Sequence, residues 1–356
     1  MGQGDTGRWI SPHRLGRSGH QRIRLDPSNA ELLGCRLGER TYLFKKYDSD
    51  ARRQIDGEAL DALVGWRTGL PAGQRRRLDA GAAWPHFGVG SPDQPQGVLV
   101  PYADPEFLMP NPTGPGLVPR TLGWLVPPSA DQPRPRRRPV PLRTKLSVLA
   151  EVIDTVLWFH DHDVVVNDVQ FENVLFSTQG HGTYFVDCDS MVVAGRIVSP
   201  PAAPAYLNEV VRASPGPSRA TDFAKIAWLA VWVVLDQPDL LEIPNRLRSG
   251  LAGMLRADVA EFLLAAHSAA DFGPAHTDRW RRLVREWRRP ESSSGAGPGG
   301  RSGPPLPGER PGWASPALLD TVLDRLDQAH RVIVGPAADR GVPPACPVAP
   351  DQRNLR

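Results

Sequence analysis

The sequence predicts an α+β fold in two lobes, a small β-rich one followed by a larger helical one. Strand-type segments crowd the first hundred residues, a long apolar-striped segment opens after residue 141, and one short connection joins the halves. The chain has 356 residues, 40% hydrophobic and 23% charged, enough apolar material for a sizeable core. A disordered chain, a coiled coil and a small stapled fold are thereby excluded.

The elements follow in order. Segments 21–25 and 40–47 read as strands, the second closed by Asp48-Ser49-Asp50. A helix is predicted over 57–66 and a buried strand over 97–102. From 142 to 160 the stripe Leu146, Leu149, Ile153, Val156 and Leu157 marks an amphipathic helix. A hairpin follows, 173–176 and 183–186, turned at 179–182. Segment 223–235 is apolar all round, as befits a helix in the middle of a large body. The first lobe is assigned to 10–103 and the second to 104–290, with a hinge between them that invites a ligand.

Two stretches collect the proline and glycine. Ten prolines lie in the 32 residues from 110 to 141, which reads as an extended surface insertion. Its PRPRRRPVP end offers an acidic partner a docking point, though a solvated insertion explains the arginines as well. From 291 to 314 the composition is that of a flexible linker. Ser315-Pro316 then starts an amphipathic helix over 315–334, and 335–356 reads as a disordered tail.

Forty-two basic residues against 39 acidic ones give a net charge of +3, too balanced to argue for nucleic acid. Only four of the basic residues are lysines: Lys45, Lys46, Lys145 and Lys225. Cys35, Cys188 and Cys346 are odd in number and far apart, which suits a reducing compartment and no disulfide framework. The longest apolar run, 226–235, is too short to span a bilayer. The expectation is a cytoplasmic protein with no membrane span.

The informative stretch is VVVNDVQFENVLFSTQGHGTYFVDCDS, residues 164–190. It sets Asp168, Asn173 and Asp187 at the mouths of a helix-to-hairpin connection, and such oxygen ligands suit Mg²⁺. Each has a plain alternative: Asp168 ends a turn, Asn173 caps the hairpin, Asp187 is a solvated acid at a strand end. The Asp-x4-Asn spacing, followed after a hairpin by Asp, resembles the catalytic loop and metal motif of the protein kinase superfamily. TYLFKKY places Lys45 as the phosphate-binding lysine of that family, with Lys46 on the opposite strand face. LGRSGHQRIRL is similar in spacing to the Gly-rich loop, with Gly16, Ser18 and Gln21 at the glycine positions and Ile23 at the valine. Asp222 resembles the buried aspartate that holds the catalytic-loop backbone. SPPAAPAYLNE resembles the end of an activation segment, with Glu209 at its structural glutamate. The resemblance covers about residues 10–290.

The resemblance implies a two-lobed kinase-like fold that uses ATP and Mg²⁺ to phosphorylate a serine or threonine of a protein substrate. Asp168 would orient and deprotonate the acceptor, and Asn173 and Asp187 would hold the metal, with Asp189 as a further metal ligand. Glu58 would pair with Lys45, ahead of Asp61 and Glu31, although it reads equally as a solvated helix acid. Gly16 and Ser18 would cover the phosphates. Ile23, Leu43 and Leu175 would sandwich adenine, and Val100, Tyr102 and Ala103 would line its edge beside Pro101.

Departures from the family pattern are equally specific. Val166-Asn167 replaces His-Arg, which removes the cation that pairs with an activation-segment phosphate. Gln170 stands at the catalytic position where the family has lysine. Asp-Cys-Asp-Ser is similar to the version of Asp-Phe-Gly in a divergent bacterial group of eukaryotic-like Ser/Thr kinases. Cys188 reads as a buried strand-end cysteine, and His160 and His162 as helix C-terminal residues favoured by the dipole. Two alternatives stay open: a pseudokinase scaffold that binds nucleotide without turnover, and a small-molecule kinase.

Overall fold

The computed structural model describes residues 7–23, 30–112, 116–127, 139–177, 182–198, 216–237, 244–268 and 274–288. The predicted linker, C-terminal helix and tail, the segment from Ser199 to Glu209, and the turn residues 179–181 lie outside them, as do 113–115 and 128–138 of the insertion.

The architecture is mixed α+β. The first part carries β1 (Trp9–Ile10), β2 (Gly16–Ile23), β3 (Ala30–Leu37), β4 (Arg40–Tyr47), a one-turn helix α1 (Ser49–Arg52), α2 (Gly57–Gly69), α3 (Ala72–Gly81), β5 (Phe87–Ser91) and β6 (Gln94–Val100). Six strands form one sheet in the order β1-β5-β6-β4-β3-β2. β1 runs parallel to β5, and the remaining neighbours are antiparallel.

Alternation along β4 sorts its side chains between two cores. Tyr42 and Phe44 pack with Cys35, Val89 and Leu99 on one face. Tyr47, with Leu43 at its edge, joins the main core on the other. Period two puts Lys45 on the Tyr47 face and Lys46 on the Phe44 face. Lys45 pairs in register with Leu32 of β3 and Val98 of β6. Beside it Gly97 is required, because a Cβ there would lie 2.1 Å from the Lys45 carbonyl oxygen.

Helix α2 starts where Asp56 accepts hydrogen bonds from the N–H groups of Glu58 and Ala59, both 3.0 Å. It buries Ala59, Leu60, Leu63 and Val64. Predicted over 57–66, it runs on to Gly69. Neither β3 nor α3 is marked in the sequence. The β3 stretch AELLGCRL has no alternation, and α3 buries only Leu78.

The second part opens with the short strands β7 (Leu108–Pro110) and β8 (Leu117–Pro119), which pair antiparallel. The sequence reading gives 110–141 as a solvated surface insertion, and over 117–126 the structure corrects this. Leu122, Leu125 and Val126 are at most 7% exposed. At ~1.5–3 kcal/mol per fully buried aliphatic side chain, that burial holds the stretch against the body. Next come α4 (Leu142–Asp161), β9 (Val164–Val165), β10 (Val174–Phe176), β11 (Thr183–Phe185) and β12 (Val192–Val193). β10 pairs with β11, and β12 with β9, so two small ladders bracket the loop over 166–173. The helices α5 (Arg219–Leu235), α6 (Pro244–Met254), α7 (Ala257–Ser268) and α8 (Pro274–Arg288) complete the described chain. α5 is the predicted apolar helix, buried without interruption from Thr221 to Val234 and capped by a Ser218–Thr221 capping box. Lys145 of α4 reaches Asp236, just beyond α5, at 2.5 Å. No helix among the described residues is long and apolar enough to cross a membrane.

Candidate functional site

Three segments meet at the site: β4 with Lys45, the loop 166–173 between β9 and β10, and the turn 187–190 after β11. The loop is held from below by α5. Asp222, 0% exposed, accepts the N–H groups of Val166 (2.7 Å) and Asn167 (2.8 Å), as the sequence reading expects. His160 Nε2 lies 2.8 Å from the same carboxylate. A carboxylate only accepts, so this nitrogen donates. His160 is thus a buried brace for Asp222 rather than a residue placed by the helix dipole. Phe171 stacks on Trp232 of α5 with ring centroids 5.4 Å apart, which pins the far end of the loop. Asn167 adopts φ +66°, a region that asparagine tolerates better than most residues. Its Nδ2 donates to the Ser190 carbonyl at 2.9 Å, tying the loop to the turn.

Within the loop, Asn173 Nδ2 donates to the Asp168 carboxylate at 2.7 Å and to the Asp168 carbonyl at 3.1 Å. Gln170 Nε2 donates to the same carboxylate at 3.1 Å. The Val186 N–H donates to the Asn173 carbonyl at 2.9 Å, which sets Asp187 beside the Asp168–Asn173 pair. Burial raises the Asp168 carboxyl above the usual carboxylate range, against the opposing pull of Lys225, Asn173 and Lys45. A raised carboxylate is better matched to accepting a proton.

Lys45 Nζ donates to Asp187 and, at 2.8 Å, to Asp189 Oδ1. The other Asp189 oxygen accepts the Tyr47 hydroxyl at 2.7 Å. Burial pushes Asp189 up, yet the Lys45 charge and the hydrogen bonds from Lys45 and Tyr47 outweigh it and hold the carboxyl low. Asp187 keeps 39% of its side chain exposed; burial, with Asp189 beside it, raises its carboxyl despite Lys45. Asp187 sits at φ +62°.

One expectation is corrected here. Glu58 does not meet Lys45; it is 79% exposed and pairs with Arg196 at 3.1 Å. Asp61 is also engaged elsewhere, with Arg8 at 2.7 Å and the Trp9 indole at 2.9 Å. Asp189, 8% exposed, accepts one hydrogen bond on each oxygen, from Lys45 and from Tyr47, whereas Asp187 keeps more of its carboxylate open. The oxygen donors that fit Mg²⁺ are Asn173 Oδ1, turned away from Asp168 by the two bonds its amide nitrogen makes, and the Asp187 carboxylate. One carboxylate plus an amide, with phosphate oxygens completing the shell, is a donor set this ion accepts. No group of three or more His, Cys, Asp and Glu residues suited to a metal occurs among the described residues.

The residues expected around a nucleotide separate into two sets. Leu43 and Val100 are cross-strand partners two residues along β4 from Lys45. Leu175 of β10 is buried, and Tyr102 and Ala103 are half-buried just beyond β6. The Tyr102 hydroxyl is pushed up by burial. Ile23 of β2 aligns with Leu32 and so stands in the Lys45 row. Gly16 does not. It aligns with Arg36 and hence Thr41, four residues or about 13 Å along the strand from Lys45. The stretch 16–23, aligned in spacing with the Gly-rich loop, is strand β2, whose pairing with β3 shifts register between Arg17 and Arg22. Residues 24–29, between β2 and β3, lie outside the described residues.

Two residues at the site escape the sequence reading. Tyr47 was signalled by period two, two positions after Lys45 on the same strand face. Lys225 was signalled as the one charge inside the apolar run 223–235. It is 6% exposed, and its ammonium donates to the Asn167 carbonyl. Burial lowers its pKa, while Asp222 and Asp168 pull the other way. Cys188 is buried with its Sγ 3.4 Å from the Phe185 carbonyl, and burial pushes the thiol well up, so it is not a reactive thiolate. Comparison with protein-family models and with curated proteins finds no match to this chain.

Proposed function

We propose that this protein is an ATP-dependent phosphotransferase with a two-lobed, protein-kinase-like arrangement, acting on a serine or threonine hydroxyl of a protein. One observation carries the reading. Asp168 and Asn173 are hydrogen-bonded to each other, and Asp187, held beside them through Val186, is ion-paired to Lys45. A half-buried carboxylate raised above its usual range and flanked by amide donors is arranged to receive the proton of an attacking hydroxyl. As the hydroxyl oxygen bonds to the γ-phosphorus, its proton passes to Asp168, and the bond to the ADP oxygen breaks. Lys45 carries three ammonium hydrogens, two of them given to Asp187 and Asp189, so the third is available to a phosphate oxygen. Asn173 Oδ1 and Asp187 would hold Mg²⁺, which neutralises charge on the phosphates when bound.

Incubation of cell-lysate proteins with γ-labelled ATP and Mg²⁺ tests the reading. Wild type is expected to label serine or threonine of an acceptor, and Asp168→Asn to lose nearly all of that label. Equal labelling by the two would refute it. A second reading, nucleotide binding without turnover, is favoured by Gln170, which presents an amide rather than a cation beside Asp168.

A further inference from the structure

The anchor of Lys45 is unusual in its origin. Along β4, Lys45 and Tyr47 share a face, and both reach Asp189, one to each carboxylate oxygen, at 2.8 and 2.7 Å. The Asp189 side chain is 8% exposed. A carboxylate that deep is tolerated only when its oxygens are satisfied, and here the lysine and the phenol do so together. The α2 acids Glu58 and Asp61 are committed to Arg196 and to Arg8 with Trp9.

We propose that Asp189, itself held by Tyr47, is the positioning residue for Lys45, in place of a carboxylate from α2. The assignment rests on the phosphotransferase reading for its purpose, since it aims the lysine at the phosphates. It has a mechanical consequence. Ser190 Oγ donates to the Asp187 carbonyl at 2.9 Å, and Asn167 reaches the Ser190 carbonyl. The phosphate lysine, Asp187 and the Asp168 loop therefore belong to one hydrogen-bonded unit. A shift of α2 does not uncouple them, so this site lacks the helix-borne on/off contact that a Lys–Glu pair provides.

The scarcity of lysine makes a direct test practical. The nucleotide-free protein is treated with an amine-acylating reagent, and modification of each lysine is followed by mass spectrometry. Lys145 and Lys225, 1% and 6% exposed, report any general loosening. Lys46, on the opposite face of the same strand, reports local fraying. In Asp189→Asn and Tyr47→Phe, acylation of Lys45 is expected to rise at least fivefold with the other three lysines unchanged. Glu58→Gln is expected to leave all four unchanged. Titration with Mg²⁺-ATP should show a dissociation constant about tenfold higher for Asp189→Asn and a smaller rise for Tyr47→Phe. The proposal is overturned if Lys45 is unaffected in Asp189→Asn, if Glu58→Gln exposes it as much, or if all four lysines rise together. Failure of wild type to bind Mg²⁺-ATP would overturn the phosphotransferase reading, while the acylation pattern still decides which residue anchors Lys45.

Discussion

Replacing Asp222 by alanine is expected to remove about 3–6 kcal/mol of folding stability. Its carboxylate, fully buried, satisfies the N–H groups of Val166 and Asn167 and the Nε2 of His160. A buried donor left without a partner costs ~1–3 kcal/mol, and the lower half of that range for each of the three donors gives the total. Against a typical stability of ~5–15 kcal/mol, this is a large fraction. Asp222→Asn keeps the shape and one accepting oxygen but turns an amide donor toward other donors, so about half the loss is expected. Urea unfolding followed by circular dichroism reads both variants, with lower midpoints at unchanged slope. A loss under about 1 kcal/mol for Asp222→Ala would refute the idea that this carboxylate organises the loop.

Three further outcomes follow from the same geometry. Lys225→Met should cut phosphoryl transfer by about 10–100-fold with Mg²⁺-ATP affinity within twofold, because the buried ammonium is bonded to the Asn167 carbonyl and acts on Asp168 through its charge; a parallel fall in affinity would contradict this placement. Gly97→Ala should destabilise the sheet by ~1–3 kcal/mol in thermal or urea melts, since its Cβ has no room beside the Lys45 carbonyl. The third concerns pH. Burial pushes Asp79 up, but its contacts with His86 and Arg67, the latter two hydrogen bonds of 2.7 Å, hold it down at about 2. A depressed carboxyl contributes stability above its unfolded value of 3.8 and loses it as pH falls toward 2. Arg67→Met should therefore move the acid-unfolding midpoint to higher pH, and an unmoved midpoint would show that the pair adds nothing.

What the sequence reveals depends on whether the deciding contact is local. The full span of β4 and the apolar α5 were legible because one is set by turn residues and the other by unbroken hydrophobicity. Asp168, Asn173 and Asp187 were legible because their spacing already fixes which turn each occupies. Glu58 misled because every acid on α2 looks alike in sequence, and Arg196, 138 residues away, decides its partner. Asp189 was visible as a second carboxylate, but its commitment to Lys45 and Tyr47 depends on how the turn packs beneath β4. Gly16 misled because it pairs with Arg36, four residues along β3 from Leu32, the partner of Lys45, and motif spacing does not record strand register. Nor did the prolines around 110–127 betray that Leu122 and Leu125 are core residues, since composition records turn chemistry and not burial.

The central claim is that Asp187 holds the divalent cation of a triphosphate against Lys45, and its most direct measurement is the rise in thermal midpoint on adding Mg²⁺-ATP. A ligand that binds only the folded chain stabilises it by ~2.7 kcal/mol at one hundred times its dissociation constant. Wild type should show a clear rise that chelation of Mg²⁺ abolishes, and Asp187→Ala, compared with its own nucleotide-free midpoint, should lose most of it. An equal rise in the two proteins, or none in wild type, would contradict the account.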